Sequence, residues 1–404
     1  MKGWVLGLYK KFFFAAVTAI LSTQSALAEE SSAQSGLEDG GIELSAALTN
    51  IYQANVSGGL STNDGRGRFV GRYDLELSAD LAKLFGIEGG TLNVAGWGGW
   101  PDIEGISDHS VGSVWGTNAL AYGNRTLDIV ELYYEGPLFW EDLTISIGKL
   151  DMTGIFDATA YADDECSQFL NTSLVDDPTI PFPSHGLGAV IRWDITDSWY
   201  LTGGIADAEA DSAEAGFTTA FGQEDYFFYA VETGHTISFN SDKGPMQGTY
   251  RVGVWIDYQD KTHIVDSSVR RGDAGFYTSC DQMLYRENAD DDQGLGGFFR
   301  YGWADGKYNS ITNFVSFGFQ YKGLFDGRNE DVLGAGYSRG YFSNDDSATY
   351  PDNYESVTEV YYNMQIADWL ALSPNIQYVV NPSDGSGTQI DDAFVIGLRA
   401  SMSF

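Results

Sequence analysis

Basic residues are scarce in this sequence: 22 Lys and Arg stand against 57 Asp and Glu, a formal charge of −35. A nucleic-acid partner is excluded on that ground, because phosphates are met with Lys and Arg. Long apolar runs are missing too. Past the N-terminal leader no stretch approaches the ~18 uninterrupted apolar residues of a membrane helix. If the chain spans a bilayer, it must do so as a closed barrel, the other fold that pairs every backbone group inside lipid. Proline is rare, at nine residues, and nothing reads as a long linker or a coiled coil. Only two cysteines occur, Cys166 and Cys280. In an oxidising compartment they are a candidate disulfide. The four His lack ligand-type spacing, so neither a zinc site nor any other cofactor is expected.

What is present begins with an export signal. Lys2, Lys10 and Lys11 precede an apolar core over residues 12–21, and Ala26, Leu27 and Ala28 fit a small-x-small cleavage site. Cleavage after Ala28 removes three Lys and no acid, leaving a still more acidic chain. The expected organisation is a signal peptide at 1–28, a polar flexible segment at 29–41 and one barrel domain at 42–404. Aromatics reach 14% and Gly numbers 49, a composition that suits aromatic girdles and tight strands but also suits sugar-binding sandwiches.

The recurring unit is a segment of roughly ten residues alternating apolar and polar, followed by a turn or loop. Phe69, Gly71, Tyr73, Leu75, Leu77 and Ala79 share one face of such a segment; Arg68, Arg72, Asp74, Glu76, Ser78 and Asp80 share the other. Val252, Val254 and Ile256 oppose Arg251, Gly253, Trp255 and Asp257, and Ile396, Leu398 and Phe404 oppose Gly397, Arg399 and Ser401. Alternation alone does not separate a soluble sandwich from a porin, whose apolar face meets lipid and whose polar face lines a wet lumen. Connection lengths do. Short ones at 87–90, 137–142, 196–198 and 367–368 alternate with long ones at 101–124, 151–187, 207–225, 259–272, 340–355 and 381–391. The reading is all-β: a transmembrane antiparallel β-barrel of about sixteen strands, with short periplasmic turns and long outer loops. Residues 151–187 form its third outer loop, long enough to be functional, and the chain ends on Phe404, on the apolar face of the last strand.

Several ordered segments carry a family resemblance over most of residues 42–404: ELYYE at 131–135 with LTISIGKL at 143–150, FLN at 169–171 with PFPSHGLGAVIRW at 181–193, DQMLYRE at 281–287, GLGGFFRYG at 294–302, and WLALSPNIQY at 369–378 with DAFVIGLR at 392–399. The set resembles the carbohydrate-selective porins of OprB type. That resemblance implies a sixteen-stranded outer-membrane barrel, monomeric or a homo-oligomer, passing glucose-like sugars by facilitated diffusion without cofactor or chemistry. The chain departs from the family in being unusually acidic and poorer in Arg.

A sugar needs forked donors, carboxylate acceptors and aromatic faces at a constriction. The polar strand faces offer Arg68, Arg72, Arg192, Arg251, Arg300 and Arg399, with Glu76, Glu131 and Glu359 as partners and Trp255 as a lumen aromatic. The competing reading is that these Arg only neutralise nearby acids and brace the wall. Trp97, Trp100 and Trp115 are expected in the interfacial girdle, with stacking on sugar faces as the alternative. If the third loop folds inward, a Cys166–Cys280 bond would pin it to the wall. The acid clusters at 163–165, 290–292 and 345–346 read as solvated loop charge, with divalent bridging to lipopolysaccharide as the alternative. Three rivals stand beside a sugar porin: a general cation-preferring porin, a barrel hydrolase and a soluble sugar-binding β-protein.

Overall fold

The computed structural model describes residues 37–404, apart from 64–66, 102–104, 214–216, 221–225 and 290. The expected export signal at 1–28 and most of the expected polar segment lie outside the described residues. Sixteen strands alternate up and down: β1 (Ile42–Ser57), β2 (Gly67–Asp80), β3 (Thr91–Trp100), β4 (Arg125–Pro137), β5 (Leu143–Leu150), β6 (Gly186–Thr196), β7 (Trp199–Asp207) and β8 (Phe227–Ser241) form the first half. The second half is β9 (Gly244–Thr262), β10 (Val269–Arg286), β11 (Gly294–Ala304), β12 (Ile311–Lys322), β13 (Val332–Phe342), β14 (Tyr354–Ala367), β15 (Leu370–Val380) and β16 (Ala393–Ser403). Each pairs antiparallel with its sequence neighbours, and β1 pairs with β16 to close the barrel. Closure leaves no sheet edge with unpaired backbone groups. Phe404 completes the seam: its N–H donates to Ala46 O at 2.8 Å, and its carbonyl accepts from Ala46 N–H at 3.2 Å.

The side-chain period of two sends the two faces of each strand to different solvents. On β9, Val252 is 56% and Val254 51% exposed on the outside, whereas Trp255 and Asp257 on the inward face are buried. Leu132, Ile147, Ile191, Phe317, Phe319, Ile376 and Leu398 continue the exposed apolar belt around the wall. A soluble protein does not leave so large a contiguous apolar surface in water, and lipid is the solvent that removes the conflict. Aromatics rim the belt. Tyr73 stacks on Trp100 and Phe276 on Trp303 near the outer ends, and Arg339 lies 3.9 Å over the Tyr354 ring.

One expected loop, 259–272, is mostly strand. β9 and β10 pair as far as Thr262 and Val269, leaving a six-residue turn. The charges that read as loop, Asp260, Lys261, Arg270 and Arg271, sit where the hairpin rises out of the apolar belt into water.

Two outer loops fold back into the lumen. Residues 105–124 bring Ile106, Val111 and Trp115 against Val357, Val379, Ala393 and Val395 of β14–β16. Residues 151–185 bring Met152, Phe156 and Ile180 against Phe228, Ala230, Trp255 and Tyr277 of β8–β10, and Phe169 and Leu174 against Phe298 and Tyr361. Wall glycines make room for the second of these. A Cβ on Gly296 would overlap the Tyr161 ring, and one on Gly302 would overlap Asp177 and Thr179.

Candidate functional site

The inward loops pack on the wall of β8–β16, where a cavity of about 410 Å³ stays open at the periplasmic end of β9–β13, and leave further open space along β2–β7. Three cavities succeed one another there. The outer one, about 450 Å³, is lined by Arg72, Trp97, Asp151, Asp163, Glu165, Asp176 and His185 among others. The middle one, about 550 Å³, shares Asp151 and Gly154 with it and adds Glu131, Tyr133, Glu135, Ser146, Arg192 and Asp194. The third, about 310 Å³, shares Glu131 and Tyr133 with the middle one and reaches Glu76, Ser78 and Asn93 on the periplasmic side. Each has the volume of a small-ligand pocket, ~300–1,000 Å³.

Strand periodicity positions the polar groups of this path. On β2, Arg72 points inward with Asp74 and reaches across to the third loop. Its Nε lies 2.8 Å from Asp74 and its Nη1 2.9 Å from Glu165, and the guanidinium lies 4.1 Å over the Trp97 ring. Two carboxylates and an indole thus hold the fork extended, with its donors in fixed directions. On β6, Arg192 pairs with Asp194 at 3.0 Å and lies 3.9 Å over Tyr200, with its side chain 45% exposed to the lumen. Glu131 is aimed by a bulge in β4, where Ala95 opposes Glu131 and Gly96 opposes Ile129, leaving Val130 unpaired; such an insertion redirects the side chains beside it. In the third loop, burial pushes Asp163 up to about 6 against the pull of Arg300, and Asp176 up to about 7. Burial holds His185 below the ordinary imidazole value.

Of the ten residues singled out from sequence, Arg72, Glu76, Glu131 and Arg192 line this open path. Arg68 shares the inward parity of Arg72 and lines none of the three cavities. Arg251 faces inward, is tied to Asp281 at 2.7 Å and lines none of the three cavities, whereas Arg72 lines the outer one although its side chain is only 6% exposed. Four others, expected as solute contacts, are instead sealed behind the third loop at no more than 1% exposure: Trp255, Arg300, Glu359 and Arg399. Arg300 donates to Leu174 O and pairs with Asp157 at 3.2 Å and Asp163 at 3.0 Å. Glu359 accepts the N–H groups of Leu170 and Asn171, both at 2.9 Å, and the amide of Asn375. Arg399 donates to Glu165 O and Gln168 O. The loop's turned-in backbone leaves N–H and C=O groups away from water, and these side chains satisfy them.

Three further expectations are corrected. Cys166 and Cys280 are both free thiols. Cys166 sits inside the barrel beside Arg72 and Ser401, whereas Cys280 shares the outward parity of Phe276 and Leu284, so the wall lies between them. Trp97 and Trp115 are not girdle residues: Trp97 faces the lumen edge-on to His185 and Tyr122, and Trp115, on the second outer loop, is buried between that loop and the wall. The acids at 163–165 are not simply solvated, since Asp163 and Glu165 pair with Arg300 and Arg72. Of the acids at 290–292, Asp290 lies outside the described residues, and Asp292 pairs with Lys322 on a periplasmic turn, remote from lipopolysaccharide. Sequence reasoning missed Tyr133, Asp151 and His185. Strict alternation within GWGGW, which separates Trp97 from Trp100, could have found the lumen indole.

Residues 66–404 match the model of the carbohydrate-selective porin, OprB family. The chain belongs to that family. Porin B of Pseudomonas aeruginosa is 22% identical over 403 residues, spanning 87% of this chain and 85% of that protein. The putative porin QuiX of Acinetobacter baylyi is 22% identical over 401 residues, spanning 91% and 90%. The high-pH structure of Pseudomonas putida OprB has the same fold, with a TM-score of 0.79 at 18% identity over 92% of this chain and 96% of that one. This OprB-family porin is thus a bacterial outer-membrane channel for carbohydrates, and its sixteen-stranded closed barrel is the fold expected from sequence.

Proposed function

We propose that sugars cross this porin along the β2–β7 wall, past Arg72 and Trp97, then Arg192, Glu131 and Tyr133, then Glu76. The observation that carries the reading is the succession of three cavities sharing Asp151 and then Glu131. A sugar entering it exchanges water for the forked donors of Arg72 and Arg192, for carboxylate acceptors, and for the ring faces of Trp97 and Tyr133. Each contact must stay weak, because a pore that holds its solute tightly stops conducting. In this reading the protein moves solute without altering it, and Arg300, Arg399, Glu359 and Trp255 act on solute only by keeping the third loop in place.

A second reading has one observation in its favour. Acids outnumber cations along the path, with Glu131, Glu135, Asp151 and Asp194 facing Arg192 in the middle cavity. A general cation-preferring porin would have the same excess. Liposome swelling with a sugar panel, combined with reversal potentials in a KCl gradient, separates the two. Arg72→Ala and Arg192→Ala should each weaken sugar affinity by no more than one charged hydrogen bond, about 1.5–3 kcal/mol, and shift ion preference further toward cations. Arg328→Ala, on a periplasmic turn where Arg328 pairs with Asp331, should alter neither. Wild-type values in both inward variants would remove the proposed path, and swelling rates that follow solute size alone would favour the general porin.

A further inference from the structure

The third loop leaves β5 at Asp151 and re-enters the wall at His185, the residues flanking Leu150 and Gly186. These two ends converge with Glu131 of β4, and the ligand atoms of the three side chains all lie within 4.8 Å of one another. Two carboxylates directed at each other call for a cation between them. Among the described residues neither has a Lys or Arg ion pair, and the charges facing Glu131 are Asp151 and Glu76, both negative. Cations around the cluster are engaged elsewhere: Lys149 donates to Ile129 O and Ser212 O, Arg72 pairs with Asp74 and Glu165, and Arg192 pairs with Asp194.

The third member carries independent weight. His185 is 8% exposed, and its buried Nδ1 has no hydrogen-bond partner among the described residues. A buried imidazole nitrogen normally has one. Asp151 is already oriented for a ligand, since its Oδ1 accepts both the N–H and the hydroxyl of Thr153, at 2.9 and 2.8 Å. The β4 bulge at Val130 turns Glu131 toward the same point.

We infer that Glu131, Asp151 and His185 form a binding site for a divalent transition-metal ion, with Zn²⁺ as the fitting probe, which ties both ends of the third loop to β4. One imidazole with two carboxylates is a nitrogen–oxygen donor set of the kind zinc takes, whereas calcium and magnesium take oxygen alone. Bonds of about 2.0–2.2 Å to such an ion need ligand atoms about 3–4 Å apart, a small contraction of the present spacing. Waters would complete the shell, because the cluster opens on the passage: Asp151 belongs to both the outer and the middle cavity. A bound ion would place two positive charges at the junction of those cavities. It would lower cation preference and conductance while leaving the barrel itself unchanged. This holds whichever solute the channel favours.

The test uses the full-length porin refolded in detergent, stripped with EDTA and titrated with Zn²⁺. The wild type should take up one tight Zn²⁺ per chain, with millimolar Ca²⁺ failing to displace it. In planar bilayers micromolar Zn²⁺ should reduce the current, and EDTA should restore it. Glu131→Gln removes one ligand charge isosterically. His185→Asn removes the imidazole while tolerating the left-handed backbone at this position, φ 53°. Loss of a group that only supports a ligand already costs about 10–100-fold in metal affinity, so each variant should lose at least about tenfold. Unboiled-gel mobility checks that each is folded. Zinc-edge X-ray absorption of the wild type, which needs no variant, should show one imidazole in a shell of oxygens. Equal Zn²⁺ affinity in wild type and either folded variant, or an all-oxygen shell, would overturn the site.

Discussion

Which way a side chain points decides its chemistry in this protein, and neighbouring positions live in different solvents. Cys280 lies between the inward Ser279 and Asp281 and faces outward with Phe276 and Leu284. Cys166 lies in the lumen, where burial pushes its thiol up to about 12. A thiol is nucleophilic only as its thiolate, so Cys166 should resist iodoacetamide in the folded protein and react after denaturation. Mass spectrometry of a non-reduced digest should show the two cysteine peptides separate. Linked peptides would mean that the wall does not run between them. Trp97 and Trp100 make the same point: three residues apart on β3, they face lumen and lipid respectively.

At the scale of elements, the strands were legible and the inward loops were not. Alternation is local, and one register holds from Phe69 to Ala79 on β2 and from Phe394 to Met402 on β16. The inward direction of Arg300, Arg399, Glu359 and Trp255 could therefore be read from spacing. Their cover could not, because it comes from residues far along the chain: Arg300 is reached by Asp157 and Asp163, and Glu359 by Leu170 and Asn171. A signal was present in the loop itself. Phe156, Phe169, Leu170, Leu174 and Ile180 are too apolar for a loop in water, and all five are buried inside the barrel. Likewise Asp151 and His185, 34 residues apart, meet only because the strands they flank, β5 and β6, pair from Leu150 to Gly186. The anchors invite a test. Arg300→Ala leaves Asp157 buried without its cation, a loss of about 3–5 kcal/mol for a broken buried pair. The wall is held by its own ladders, so the variant should still show folded mobility on unboiled gels, with a lower temperature of mobility shift. The freed loop should raise single-channel conductance and weaken discrimination among sugars. Wild-type conductance in a folded Arg300→Ala would show that the loop is held without this clamp.

Over the whole molecule, the formal charge of −35 sets the sign of the field but not its distribution. Ion preference depends on the charges that face the passage, and among these two carboxyls of the third loop titrate near neutrality. Burial pushes Asp163 up to about 6 and Asp176 up to about 7, while ordinary surface carboxylates titrate near 4. Arg300 faces both and opposes the rise; Glu165 and Asp151 face both and reinforce it. His185, in the same cavity, is pushed below its ordinary value and so gains its proton later on acidification. The sign follows from the carboxyls. Each is neutral well below its raised value and negative well above it, so acidification from pH 8 to pH 5 removes negative charge from the outer cavity while the outer-loop surface keeps most of its own. Cation preference, read as the reversal potential in a KCl gradient, should therefore fall across that interval and recover on return to pH 8. Asp163→Asn with Asp176→Asn fixes both groups neutral, and the double variant should show a lower preference already at pH 8 with a smaller further change. A wild-type reversal potential that stays flat from pH 5 to pH 8 would mean that these two carboxyls do not face the conducting path, and would count equally against the passage along β2–β7.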